Sequence, residues 1–209
     1  VALKIVVNYF YMAMTPSTML ELGTQLPGFA LPDLHGKVVS TGDFKEAAGL
    51  LVVFICPHCP VVRHIRRELG RFGREYQSQG LAIIAINAND PVAYPDDDPD
   101  GMRREILDAG YTFPYLIDES QSVAKAFHAA CTPDFFLFDK HRKLAYRGQF
   151  DDSRPRNNAP TTGADLRAAV DAVLQGRLPS PNQKPSVGCN IKWKVGNEPE
   201  YFAVPLKVR

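Results

Sequence analysis

Apolar positions along this chain fall either in unbroken runs or at helical spacing, and each pattern predicts a kind of element. Residues 50–55 form an unbroken apolar run rich in Val and Ile, and Leu81–Asn87 repeats the pattern, as expected of strands covered on both faces. After the first run, Val62, Ile65, Leu69, Phe72 and Tyr76 recur at helical spacing, with Arg63, Arg67, Arg71 and Arg74 on the opposite side. This predicts a long amphipathic helix whose arginine stripe is a solvated face, with Arg71 and Glu75 paired at i,i+4. Residues 26–33 read as short extended pieces broken by proline, and Gly36 turns the chain into a short strand around Val38 and Val39.

Further along, the pattern predicts a helix over 101–110, a short strand over 113–117 and a helix near 120–128. Asp134–Phe138 and residues 144–147 flank a polar turn at 139–142, as the arms of a hairpin do. A last helix is expected over 162–175, capped around Thr162 or Gly163. Strands alternating with helices argue for an α/β fold. From Gly176 onward Pro, Lys and Asn dominate, which predicts an irregular tail wrapped on the domain. The organisation read from this is an N-terminal extension (1–21), one α/β domain (22–178) and a C-terminal tail (179–209).

Composition narrows the function. The chain has 209 residues, 45% hydrophobic and 22% charged, which argues against overall disorder. With 24 basic and 23 acidic residues it has no positive field to recruit nucleic acid or anionic lipid. No apolar stretch reaches the ~18 residues of a membrane span. Residues 1–14 come closest, interrupted by Asn8 and Lys4, and read as an extra strand, a non-native extension or a targeting segment. The expected compartment is the cytosol, with export as the alternative. A chain this long buries roughly 70% of its unfolded surface and needs no disulfide framework. Cys56, Cys59, Cys131 and Cys189 therefore stand as candidates for chemistry.

Cys56-Pro57-His58-Cys59 falls where a buried strand should give way to a helix. Two intervening residues put both sulfurs near the first helical turn, where one attacks an external disulfide and the other resolves the mixed disulfide. Unpaired amides and the helix dipole are expected to favour a thiolate at Cys56, with His58 acting in the same direction and Pro57 at the first helical position. A fall of the thiol pKa from about 8.5 to about 6 gains thiolate but loses nucleophilicity, so its main consequence is a better leaving group and a more oxidising disulfide.

Rival readings of the same residues are half of a zinc site, completed by Cys131, Cys189, His64 or His128, and inert thiols. Asp96, Asp98, Asp100 and Gly101 superficially match the first half of a calcium loop. Position twelve would then be Leu107 and Pro99 intrudes, so helix capping accounts for them better. The adjacent carboxylates Asp151 and Asp152, in a polar loop over 149–154, are expected to be solvated and receive no role.

Residues 54–60 (Phe-Ile-Cys-Pro-His-Cys-Pro), read with 131–138 (Cys-Thr-Pro-Asp-Phe-Phe-Leu-Phe), resemble the thioredoxin superfamily, and more closely the redoxin group of alkyl-hydroperoxide-reductase-like (AhpC/TSA) and TlpA-type proteins. The similarity runs from about residue 22 to 175, and the tail over 183–193 resembles that of a bacterial thioredoxin-like subgroup. The resemblance implies a three-layer α/β/α sandwich with a central mixed sheet. It implies Cys56 as the exposed nucleophile, Cys59 as the resolving thiol, Pro133 as a cis proline beside them, and Thr132 offering its backbone to a substrate chain. The tetrapeptide matches that of DsbA-type oxidases. Two departures stand out: Leu50 replaces the buried aspartate of thioredoxins, and the peroxidatic P-x-x-x-[ST]-x-x-C pattern is missing around both Cys56 and Cys59.

These observations predict a thiol–disulfide oxidoreductase that needs no organic cofactor or metal and exchanges electrons with a protein or small thiol or disulfide substrate and a separate electron donor. The alternatives are an antioxidant thiol peroxidase and a copper-binding module, although such modules usually space their cysteines by three residues. Cys131 and Cys189 are possible further redox thiols, pairing with each other or simply packed. Trp193 is expected to anchor the tail.

Overall fold

The computed structural model describes residues 14–202. Its centre is strand β4 (Gly49–Phe54), buried at every position as the unbroken apolar run requires. Pleating sends alternate side chains to opposite faces: Leu51 and Val53 join one apolar cluster, Leu50, Val52 and Phe54 the other. Strands β5 (Leu81–Asn87) and β6 (Tyr115–Ile117) lie parallel to β4 on one side. On the other side β8 (Asp134–Phe138) and β9 (Leu144–Gly148) form the antiparallel hairpin, giving the mixed order β6-β5-β4-β8-β9.

One face of this sheet is covered by α1 (Pro60–Gln77), α2 (Pro99–Ala109) and α4 (Ala164–Leu174), whose Leu69, Phe72, Met102, Leu166 and Val170 pack in a single cluster. The opposite face is covered by the short α3 (Ser122–Ala126), by the hairpin of β2 (Ala30–Pro32) and β3 (Val38–Ser40), and by Ile191 and Trp193 of the tail. The sandwich is the expected one. No helix among the described residues is long and apolar enough to cross a membrane. Residues 1–13, on which the targeting and extra-strand readings mostly fall, lie outside the described part.

Local chemistry explains most boundaries. The Asp98 side chain accepts from the Gly101 amide at 2.7 Å, and α2 ends at Gly110 in the left-handed region (φ 68°), so the acidic run does cap a helix.

Three expectations need correction. Arg71 pairs with Glu68 (2.9 Å) instead of Glu75, and Arg167 of α4 bridges Glu68 (3.0 Å) and Glu75 (2.5 Å). Asp151 is buried, not solvated: it accepts the amides of Ser153 (2.9 Å), Thr162 (2.7 Å) and Gly163 (2.6 Å), tying the 149–154 loop to the start of α4. Finally, the tail is not wholly irregular. Its strand β10 (Val187–Asn190) sits between β1 (Met14–Pro16) and β7 (Cys131–Thr132) in a second sheet, antiparallel to both.

Candidate active site

The site lies where the central strand meets its helix. The Ile55 amide continues the β4–β5 ladder to the Ile86 carbonyl (3.1 Å), and the chain then turns over Cys56-Pro57-His58 before α1 starts. The helix begins later than expected: Cys59 is the N-cap and Pro60, not Pro57, takes the first position, where a missing N–H costs no hydrogen bond. The dipole and free amides of α1 therefore act on Cys59 rather than on Cys56.

Neither sulfur is open to water; Cys56 and Cys59 are both 0% exposed. The expectation of an exposed nucleophile is corrected by a cover built from two distant segments. The His58 ring stacks on Tyr94 (5.4 Å between centroids), and the Lys192 ammonium of the tail sits 5.3 Å from the Tyr94 ring. Lys192 is fixed in turn: its amide donates to Asn89 Oδ1 (2.8 Å) and its carbonyl accepts from Asp90 N (2.9 Å). Trp193, next along the chain, is buried against the sheet as expected of an anchor.

Burial also reverses the expected electrostatics of Cys56. It pushes that thiol well up, and hydrogen bonding to Cys59 and the nearby Asp97 carboxylate push the same way; Thr132, whose Oγ1 is 3.4 Å from the sulfur, opposes weakly. Burial disfavours a charge on Cys59 too, yet hydrogen bonds from the Cys189 and Cys56 thiols and from Thr132, with the Val62 amide of the first turn, draw Cys59 below the usual thiol range. When protonated, Cys59 donates to the Thr132 carbonyl at 3.1 Å. Of these thiols, Cys59 is the one whose neighbours favour the thiolate.

His58 is placed by Asp97. Its amide donates to Oδ1 (2.9 Å) and its ring Nδ1 bonds Oδ2, while Asn89 Nδ2 donates to the same Oδ2 (2.7 Å). His58 Nδ1 is also 3.7 Å from Cys56 Sγ, so one ring atom faces both the carboxylate and the sulfur. Asp97 was hidden in sequence among three neighbouring aspartates; its burial, 2% exposed against two open neighbours, comes only from the fold. Leu50, in the position where an aspartate was missed, is a fully buried part of the apolar layer. A different carboxylate, Asp134, is buried beside Cys131, and burial raises it to about 7.

The Thr132–Pro133 peptide bond is cis, as the resemblance implied, and Thr132 meets both Cys56 and Cys59. Its strand edge, however, is not free for a substrate chain: β10 pairs there, with Cys189 opposite Thr132. A Cβ on Gly188 would come within 2.1 Å of the Thr132 carbonyl oxygen, so only glycine lets the tail approach so closely. Cys189 thereby reaches Cys59, the two sulfurs lying 2.9 Å apart. Of the two alternatives for Cys131, pairing with Cys189 or packing, the structure shows packing: its Sγ points to the Pro133 carbonyl (3.6 Å), and burial raises its pKa.

The zinc set considered from sequence is not gathered either. His64 bonds Ser153 and Thr161 (3.1 Å each), and His128 stacks on Tyr201. Among the described residues one three-donor group comes together, Cys56, His58 and Asp97, with ligand atoms within 4.8 Å of one another. Two of those atoms already share a proton, which an ion would have to replace.

A five-stranded mixed sheet with a C-x-x-C at the end of its central strand and a cis proline opposite defines a thioredoxin-like redox fold. Within that class the chain belongs to the AhpC/TSA family, whose model matches residues 22–147. It is 27% identical over 127 residues to the thiol-disulfide oxidoreductase ResA of Halalkalibacterium halodurans, an alignment covering 61% of this chain and 68% of that protein. A hypothetical protein from Sinorhizobium meliloti 1021 is 53% identical, with a TM-score of 0.85 over 87% of this chain and 100% of the other. A thioredoxin-family thiol:disulfide interchange protein from Chlorobium tepidum TLS is 16% identical with a TM-score of 0.57, covering 74% and 98% of the two chains, and shows the fold alone.

Proposed function

We propose that the protein is a thiol–disulfide oxidoreductase working through Cys56 and Cys59. The observation that carries this reading is the mutual placement of the two sulfurs. Both face Thr132 beside the cis proline, Cys56 Sγ at 3.4 Å from its Oγ1 and Cys59 Sγ at 3.1 Å from its carbonyl oxygen. In the reducing direction, Cys56 attacks a substrate disulfide as its thiolate, a mixed disulfide forms and one substrate thiolate leaves. Cys59, the more acidic thiol, then attacks Cys56 Sγ, which closes the Cys56–Cys59 disulfide and releases the second substrate thiolate. A carboxylate at position 50 is not needed for this resolution, because neighbouring donors already favour the Cys59 thiolate.

With β10 on the Thr132 edge, a substrate strand has no ladder to join, so the reading favours a small disulfide or a flexible peptide loop admitted past the His58–Tyr94 cover. The name of the ResA relative is consistent with the reaction class. The test is trapping. Cys59→Ser is expected to accumulate a stable mixed disulfide at Cys56 with a small peptide disulfide, and Cys56→Ser to accumulate none at Cys59. Equal trapping by both variants overturns the assignment of roles.

A further inference from the structure

The tail thiol Cys189 forms no covalent bond in that cycle, yet it is built into the site as firmly as the other two. Its strand is paired on both sides, by Met14↔Cys189 and Cys189↔Thr132. Beyond it, Ile191 N donates to the Ala130 carbonyl (3.1 Å), Gln121 Nε2 to the Lys192 carbonyl (3.0 Å) and Lys194 N to Gln121 Oε1 (2.9 Å). The sulfur is 1% exposed. It lies 2.9 Å from Cys59 Sγ, and a disulfide requires closure to ~2.05 Å. Gly188 is the residue that permits this approach.

Resting on the reading above, we propose that Cys189 is a second resolving thiol that takes Cys59 from the Cys56–Cys59 disulfide, so that the oxidised protein rests as Cys59–Cys189 with Cys56 a free thiol. The step is a thiol–disulfide exchange and needs no oxidant beyond the substrate disulfide that oxidised the first pair. Cys189, as its thiolate, attacks Cys59 Sγ; the Cys59–Cys189 bond forms and the Cys56–Cys59 bond breaks. The electron pair goes to Cys56, which takes up a proton equivalent to the one Cys189 gave up.

One electrostatic feature favours the exchange. In the dithiol state hydrogen bonding to Cys59 is the first cause holding Cys189 protonated, ahead of burial and of the Cys59 charge; both Cys59 effects end once Cys59 enters a disulfide, and the Lys192 ammonium then remains to favour the attacking thiolate. On the leaving side, the raised Cys56 thiol makes departure slow, so the exchange depends on the 2.9 Å approach of Cys189 to Cys59. Preorganisation by the β10 ladder replaces the search a mobile tail would need. Cys131, turned to the Pro133 carbonyl, stays outside the relay.

The experiment uses the full chain, oxidised with one equivalent of a small aromatic disulfide, quenched in acid, alkylated and mapped by mass spectrometry without reduction, in the wild type and in Cys189→Ser. The wild type is expected to show a Cys59–Cys189 link with Cys56 alkylated, preceded at early quench times by Cys56–Cys59. In Cys189→Ser, the Cys56–Cys59 link is expected to accumulate. A wild type that comes to rest with Cys56–Cys59 and no Cys59–Cys189 overturns the second resolving thiol and leaves the two-cysteine cycle standing. A Cys189→Ser protein that forms no Cys56–Cys59 link overturns the cycle itself. Should that variant not fold, Cys189→Ala takes its place, and the wild-type map decides the relay in either case.

Discussion

Asp97 holds His58 by two atoms, accepting its backbone amide on Oδ1 at 2.9 Å and its ring Nδ1 on Oδ2. The same carboxylate is one of the charges that keep the Cys56 thiol protonated. These roles predict opposite effects of one substitution. In Asp97→Asn the charge goes, so the pH midpoint for alkylation of Cys56 is expected to fall. The amide nitrogen would also oppose the donors of His58 or Asn89, costing about 1–3 kcal/mol in stability. Alkylation rates across pH, together with urea unfolding, check both; an unchanged midpoint would show that the carboxylate does not act on the sulfur.

The poise of the Cys56–Cys59 couple follows from the same burial. A Cys56 sulfur that resists ionisation is a poor leaving group and favours the closed disulfide, whereas the donors around Cys59 stabilise its thiolate and pull the couple the other way. A helix start at Pro57 predicts an oxidant through Cys56. The structure places the helix three residues later and puts the first of the Cys59 donors on Cys189, so in Cys189→Ala, which removes that donor and leaves only this couple to measure, the potential is expected nearer the about −270 mV of thioredoxin than the about −120 mV of DsbA. Equilibration in a defined thiol buffer measures it, and a value at the oxidising end refutes the burial argument.

What the sequence disclosed and what it hid have a common physical cause. The run through 50–55 and the helical spacing from Val62 to Tyr76 are local periodicities, and they located the C-x-x-C at the strand–helix junction without any tertiary knowledge. Cys189 and Cys59 are 130 positions apart, and their contact depends on a four-residue strand whose sequence, Val-Gly-Cys-Asn, has no alternating pattern. Asp97 and Asp151 stand beside other aspartates and differ from them only in what folds over them. Local pattern carries the sheet and the nucleophile, whereas the thiol environment is set by segments that meet only in three dimensions.

Gly188 offers a way to move the tail without touching a sulfur. In Gly188→Ala the new methyl group would sit 2.1 Å from the Thr132 oxygen and 2.8 Å from its carbonyl carbon, both backbone atoms. Strand β10 must therefore shift off β7, at a cost of about 1–3 kcal/mol, as for other overpacked sites. Cys59, which β10 helps to seal, is expected to react with iodoacetamide faster than in the wild type while the fold is retained. If reactivity stays unchanged with stability lowered, β10 contributes packing but does not gate access.

Stability should depend on pH in a direction set by two buried carboxyls. Asp134 and Glu105 are each raised to about 7, burial being the main cause in both; weaker hydrogen bonds from Ser17 and the Ala130 and Phe135 amides, and from Tyr115 and Tyr111, oppose it. Since the folded pKa lies above the unfolded one, the folded chain binds more protons between about pH 4 and 7, and stability falls as pH rises through that window. Below it both states are protonated, and above it both are ionised, so the loss is complete and constant. For Asp134, about three units correspond to at most about 4 kcal/mol. The lowered thiol at Cys59 adds a slope of the opposite sign over the same interval, so the test uses Cys59→Ser, and urea unfolding of that variant is expected to give a higher stability near pH 5 than near pH 8. Adding Asp134→Asn, which mimics the protonated carboxyl, is expected to narrow that difference, and a Cys59→Ser protein that gains stability over the same interval would overturn the raised carboxyls.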